Sequence, residues 1–169
     1  VIAEVPEYGM LGGSGVLFYG DKAYLMGTRF EYEDPEEDGT EETVWQIVSL
    51  LSMNLQSGEI EPIMEMTLGD NGSAIWTIEH IYDGKLYFCF DSSETKTEYE
   101  PGWYTCDLES DELKCLEISE DLEVSAWDGN IAICQEQSVD PVLNDEDPKT
   151  EKHCFRWNLD TGELEELYT

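Results

Sequence analysis

Basic residues are what this chain lacks most. Against 40 Asp and Glu it carries 8 Lys and Arg and 2 His, a formal net charge of -32. A polyanion needs a basic surface, which so few cations cannot assemble, so nucleic acid is excluded as a direct partner and an anionic membrane surface is disfavoured. Long apolar runs are missing too: nothing approaches the ~18 residues of a membrane span, and no charged-then-apolar segment opens the chain as a signal would. The histidines, His80 and His153, lie far apart with no nucleophile motif such as Gly-x-Ser-x-Gly beside them. The five cysteines lack short paired spacings, which removes a zinc pattern and a closed disulfide framework. No stretch sustains an apolar period of 3.6, so almost no helix is expected.

What is present is a folded composition, 40% apolar and 11% aromatic over 169 residues, and a phrase that occurs three times. Its first part reads YGDKAYL from Tyr19, YDGKLYF from Tyr82 and WDGNIAI from Trp127; its second reads NLQSGEIEPI from Asn54, DLESDELKCL from Asp107 and NLDTGELEEL from Asn158. Both parts are hairpin signals. Asp-Gly between alternating apolar runs marks a two-residue turn with positive φ at both positions, and the Gly-Asp of the first copy offers the related turn with Gly leading. The second part suits a type I turn closed by a left-handed glycine, with Asp111 in the glycine's place in the middle copy.

Two hairpins make a four-stranded sheet, and a four-stranded sheet repeated at roughly fifty residues is the mark of a propeller blade. The expected strands are 14–19, 22–30, 44–55 and 59–66 in the first copy, 74–81, 85–91, 103–108 and 112–118 in the second, and 122–127, 130–135, 153–159 and 163–168 in the third. The fold class is therefore all-β, a partial β-propeller of three four-stranded antiparallel blades. A β-sandwich or meander is the alternative, which paired turn phrases in constant order fit less well. Residues 1–12 read as a connector or a strand of a preceding blade, and the blades as 13–68, 69–119 and 120–169 of one structural domain. The run VWQIVSLLSMNL is long and uniformly apolar, so a bulge or inserted residues are expected near Leu51 to Met53.

The repeat also assigns side chains. Met26, Cys89 and Cys134 each fall seven residues after the phrase begins, which reads as one buried apolar slot between blades. A three-residue loop in the middle copy pairs Leu108 with Glu112 and Cys106 with Lys114, and leaves Cys106 and Cys115 on opposite faces as free thiols. His80 shares strand parity with Trp76, Ile78 and Tyr82 and is read as a structural residue beside a central channel. Tyr19, Tyr82 and Trp127 pack against neighbouring blades or cap the turn, with ligand stacking at a channel mouth the alternative; Trp45, Trp103 and Trp157, on third strands, are core.

The aromatic-Asp-Gly-Lys/Asn and Asp/Asn-Leu-x-x-Gly-Glu phrases resemble those of the bacterial propeller domains called TolB-like, which include multi-bladed proteins of cell envelopes. The resemblance covers about residues 13 to 169. It implies a blade architecture and an extracytoplasmic or secreted bacterial location, with a cytoplasmic one as the alternative. Propellers host binding modules, scaffolds and enzymes alike, so the fold leaves the function open. Three blades are too few to close a ring, which usually takes four to eight. Together with the opening at Val1 rather than Met, this reads as a piece of a longer chain with further blades, or as half of a ring completed by a homodimer mate.

Function is expected in the variable segments rather than the constant turns. Residues 31–42, 91–100 and 136–151 hold 8, 4 and 6 acids, 18 of the 40 in the chain. In an up-and-down blade these second-to-third connections all leave on one side, so the acids gather on one face. The candidate binding residues are Asp34, Glu36, Glu37 and Asp38 in the first segment and Asp145, Glu146 and Asp147 in the last. Calcium is the cofactor such carboxylates could take, although neither segment keeps the ligand spacing of an EF-hand loop; otherwise no cofactor is expected. No catalytic residue is assigned. The leading reading is a non-enzymatic binding or scaffolding module for a protein or a small neutral or cationic ligand. Its rival is an enzyme, possibly glycan-active, whose site is completed by missing blades or a second chain.

Overall fold

The computed structural model describes residues 8, 10–11, 15–32, 44–68, 74–92, 99–118, 122–136 and 153–168, and among them there is no helix. The strands form three antiparallel sheets, each four strands wide. The first holds β1 (Met10–Leu11), β2 (Leu17–Tyr19), β3 (Lys22–Tyr32), β4 (Val44–Asn54) and β5 (Ile60–Leu68). Its β1 and β2 lie end to end along one edge of β3, opposite Gly27 and Thr28 and opposite Lys22 to Tyr24. The second holds β6 (Ala74–Tyr82), β7 (Lys85–Ser92), β8 (Gly102–Asp107) and β9 (Leu113–Cys115); the third holds β10 (Leu122–Asp128), β11 (Ile131–Glu136), β12 (Cys154–Asn158) and β13 (Glu163–Tyr168). The first two sheets make one compact unit, Val1–Leu116, and the third makes another, Glu117–Thr169.

The repeated phrase works through its turns. In each second hairpin an Asn or Asp side chain accepts two backbone N–H groups: Asn54 from Gln56 and Ser57, Asp107 from Glu109 and Ser110, Asn158 from Asp160 and Thr161. This side-chain turn holds the chain in a bend that only a left-handed residue can close. Gly58 and Gly162 do so at φ 74° and 73°, and Asp111 at 57°. The Leu after the Asn or Asp then donates its backbone N–H to the neighbouring first turn, Leu55 to Asp21, Leu108 to Gly84 and Leu159 to Asn130. Each sheet thus has its two hairpin turns tied together at one end.

Several expectations need correction in register. The second hairpins have four-residue loops: Asp107 donates to Glu112 and Cys106 sits opposite Leu113, not Lys114. Cys106 and Cys115 therefore share a face, two residues apart along the ladder, and all five cysteines are free thiols. The third first-turn is also displaced, because Asp128 pairs with Ile131 and only Gly129 of the loop takes positive φ, as Gly20 does in the first copy. Cys134 consequently occupies the position of Leu25 and Phe88, not that of Met26 and Cys89.

Strand β4 runs unbroken; the extra residue sits across from it at Ile63, between the pairs Leu50–Met64 and Leu51–Pro62. A bulge accommodates Pro62, which has no N–H for the ladder. Another bulge at Glu79 separates the pairs Ile78–Phe88 and His80–Tyr87, so His80 faces away from Ile78 rather than with it. The third sheet repeats this irregularity between Val124 and Ala126.

The core of the first unit lies between its two sheets. Tyr24, Met26, Val48, Leu50, Met64, Met66 and Leu68 of the first meet Ile78, Leu86, Phe88, Phe90, Tyr104, Cys106 and Leu108 of the second. Each such side chain, taken out of water, contributes about 1.5–3 kcal/mol. Run VWQIVSLLSMNL is apolar throughout because β4 is buried on both faces, Ile47 and Leu51 on one and Val48 and Leu50 on the other.

Register reveals an equivalent pair of rows across every sheet near its turn end. One, the front row, reads Phe18–Ala23–Met53–Ile60 in the first sheet, Ile81–Leu86–Cys106–Leu113 in the second and Trp127–Ala132–Trp157–Leu164 in the third. The back row, on the other face, reads Leu17–Tyr24–Ser52–Glu61, His80–Tyr87–Thr105–Lys114 and Ala126–Ile133–Arg156–Glu165. The second sheet's front row and the first sheet's back row both belong to the core between the two sheets.

Candidate binding end

Every sheet has two unlike ends. At the turn end the connections are short and repeat one hydrogen-bond scheme. At the other end β3 and β4 stop at the Tyr32–Val44 pair, β7 and β8 near Phe90–Gly102, and β11 and β12 at Gln135–Cys154. The acidic segments span those gaps. Asp34, Glu36, Glu37, Asp38, Asp145, Glu146 and Asp147 lie outside the described residues, so only the strand ends that carry them have a place. In the first unit the Tyr19 hydroxyl comes within 3.7 Å of where a Cβ on Gly84 would stand. The turn ends of the first and second sheets therefore lie together.

Beneath the first of these loop ends sits a polar group built on a strand glycine. A Cβ on Gly27 would stand 2.8 Å from the Tyr8 ring and 2.5 Å from Leu51 Cδ1, so the absent side chain makes room for both. Tyr8 covers Arg29, whose guanidinium carbon is 5.9 Å from the ring centroid and whose Nη1 donates to the Tyr8 hydroxyl at 3.5 Å. The same nitrogen donates to Glu65 at 2.6 Å, Glu65 also accepts from the buried Ser49 hydroxyl at 3.1 Å, and Arg29 Nε lies 3.5 Å from Glu31. Partial burial works against the Arg29 charge, but the Glu65 carboxylate and the Tyr8 hydroxyl more than offset it and hold the guanidinium above its ordinary value.

The other loop ends have their own fastenings. In the second sheet Tyr104 donates to the Glu100 carbonyl at 2.6 Å, which fixes the chain where it re-enters β8. Burial, then the bond with Cys115, raises the Tyr104 hydroxyl far above its usual range. In the third sheet His153 Nδ1 lies 2.6 Å from Glu166 and its ring stacks on Phe155 at 6.4 Å. Asp91 and Glu100 are exposed at the second loop end, and Phe30 is 47% exposed at the first.

Chemically, these groups hold structure. Arg29 is engaged by two carboxylates, Cys106 and Cys134 are buried with thiols pushed up to about 12 and about 11, and no set of three or more His, Cys, Asp or Glu among the described residues is placed to hold a metal ion. Trp103 and Trp157 are buried, as third-strand residues were expected to be; of Trp45 only the backbone is described. The described residues form no helix, hence none long and apolar enough to cross a membrane. The Tyr8–Arg29–Glu65 group is legible in sequence only as a glycine inside a strand pattern, the usual sign of a close approach. Comparison with protein-family models, with curated proteins and with solved structures finds no match to this chain.

Proposed function

We propose that the chain is a set of propeller blades of the TolB-like kind and serves as a non-enzymatic binding or scaffolding module, with the acidic loop end as its contact surface. The observation that carries this reading is the difference between the two ends of the sheets. One end spends its sequence on a repeated fastening, Asn or Asp with left-handed Gly or Asp, which leaves little freedom for anything else. The other carries the segments that differ in length and share only their charge. The blade reading is supported by β6 lying beside β2 and β3, so that the first strands of neighbouring sheets approach each other as innermost strands do.

A surface of this charge selects basic or cationic partners and draws them in over a distance that salt shortens. Local placement can be separated from net charge with two variants of equal charge change. The loop variant carries Asp34→Asn, Glu37→Gln, Asp145→Asn and Asp147→Asn; the turn variant carries Asp21→Asn, Asp83→Asn, Glu109→Gln and Glu112→Gln. Titrated with a lysine-rich peptide in near-physiological salt, the loop variant is expected to bind at least about tenfold more weakly than the parent, a change of about 1.4 kcal/mol. The turn variant should stay close to the parent. Equal weakening in both would reduce the interaction to bulk charge and overturn the assignment.

A further inference from the structure

We infer that the slot under Tyr8 on the first sheet is a docking site for an extended peptide carrying a Tyr and basic residues, and that the Tyr8 segment is the removable strap that fills it. The inference does not rest on the loop-end reading above. The slot exists because of a glycine. Counted from the first turns, where Lys22 and Lys85 pair with Tyr19 and Tyr82, Gly27 stands where the second sheet has Phe90. Phe90 fills its place with its own ring and has no exposed surface. At Gly27 the ring comes from elsewhere in the chain, because Tyr8 lies 2.8 Å from where a Cβ would stand. A glycine inside a strand marks such a close approach.

Two observations make Tyr8 an occupant of the slot rather than part of its wall. The walls stand without it: Arg29 keeps Glu65 at 2.6 Å and Glu31 at 3.5 Å, Glu65 also holds the buried Ser49 hydroxyl, and Leu51 is fully buried. The Arg29 bond to the Tyr8 hydroxyl is long, at 3.5 Å, and its loss leaves the guanidinium paired. The strap itself is held over a short stretch, since among the described residues β1 pairs with β3 at Met10–Thr28 and Leu11–Gly27 alone. Between Leu11–Gly27 and Leu17–Tyr24 the chain spends five residues, Gly12-Gly13-Ser14-Gly15-Val16, against two on β3, Leu25 and Met26. Glycine gives such a connection the widest choice of backbone angles. The occupant's chemistry follows from the slot. A phenol ring rests on Gly27 and Leu51 with Arg29 over its face, its hydroxyl accepts from the guanidinium, and its backbone can add to the β3 edge as a strand. The Tyr8 segment brings Glu4 and Glu7 to a chain of net charge -32, so a peptide with Lys in their place gains attraction where the strap meets repulsion.

The test uses the full chain and a fluorescent peptide with the sequence of residues 3–11 carrying Glu4→Lys and Glu7→Lys. Binding is read by anisotropy and by amide shifts of the isotope-labelled protein. The Tyr8→Ala chain should bind this peptide at least about tenfold more tightly than the parent, in which only the fraction with the strap open competes. On the parent, a large excess of peptide should move the Gly27 and Thr28 amides, a result that does not depend on the folding of Tyr8→Ala. The same peptide with its own Tyr changed to Ala should bind far more weakly and leave both amides in place. Absence of binding to a folded Tyr8→Ala chain, or Gly27 and Thr28 amides unmoved on the parent, would overturn the inference. Equal binding of the two peptides would reduce the interaction to charge and overturn it as well. A lysine-rich peptide without Tyr should leave Gly27 and Thr28 in place whether or not it binds the loop end, so the two readings fail separately.

Discussion

Asp107 does in the second sheet what Asn54 and Asn158 do in the others, and the difference in charge makes it sensitive to acid. The backbone N–H groups of Ser110 and Glu109, then the Ser110 hydroxyl, hold its carboxyl below the ordinary value of 3.8. A group depressed in the folded state contributes stability above its unfolded value and loses it as pH falls through the folded one. Asp107→Asn should therefore keep the turn, as in the sister copies, and remove this part of the acid dependence. Asp107→Ala should lower the melting temperature at neutral pH because two turn N–H groups lose their acceptor. Melting curves of the three proteins from neutral pH into acid check both statements. Cys106 gives the opposite slope. Its thiol, raised from 9.0 to about 12 by burial and then by Asp111 and Asp107, stays protonated in the fold while the unfolded chain ionises. Its stability term is complete below pH 9, is lost as pH rises toward 12, and by about pH 11 amounts to a loss on the order of 3 kcal/mol. Cys106→Ala should flatten the alkaline side of the pH–stability curve, leaving the contributions of Cys134, Tyr24 and Tyr104, whose groups burial also raises.

At the scale of the element, turns were more readable than registers, for a physical reason. A turn is decided by neighbours: Asn or Asp four residues before a left-handed Gly writes the bend locally, and Asp111 was legible in the glycine's place for the same cause. Register depends on where an extra residue is absorbed, and the sequence does not mark that. The four-residue loop at Leu108 to Asp111 moved Cys106 opposite Leu113, and the bulge at Glu79 sent His80 to the other face. Pro62 did carry a sign of the bulge beside it, on the strand opposite the one that looked too long. Gly27 is a further case. Its absent Cβ leaves space for Tyr8 and Leu51, so Gly27→Ala should destabilise by about 1–3 kcal/mol through overpacking. The cost should fall measurably in a Tyr8→Ala background, where one of the two clashes is gone. A cost unaffected by Tyr8→Ala in chemical denaturation would place the whole strain on Leu51.

For the molecule as a whole, the sequence is most explicit about repetition and least about contact. The three phrases announced three antiparallel four-stranded sheets, and these are what the chain forms. The face-to-face use of front and back rows was hidden, because it requires the register of four strands at once, and a single residue such as Phe18 looks like any other apolar member of a strand. The candidate site was legible as charge and position along the chain: acids crowd between second and third strands, and the described strand ends place those segments opposite the tied turns. Which loop side chains a partner would meet was not legible, because the acidic segments carry no apolar periodicity from which a sequence reading could assign their faces. On the proposed reading each sheet has an end that fastens and an end that binds. The direct measurement is a titration of the isotope-labelled protein with a lysine-rich peptide, followed by amide shifts. The prediction is that shifts concentrate at the strand ends, at Tyr32, Val44, Asp91, Gly102 and Gln135, and spare Gly20, Gly84, Asp107 and Gly129. Shifts centred on the turns, or spread evenly over both ends, would contradict it.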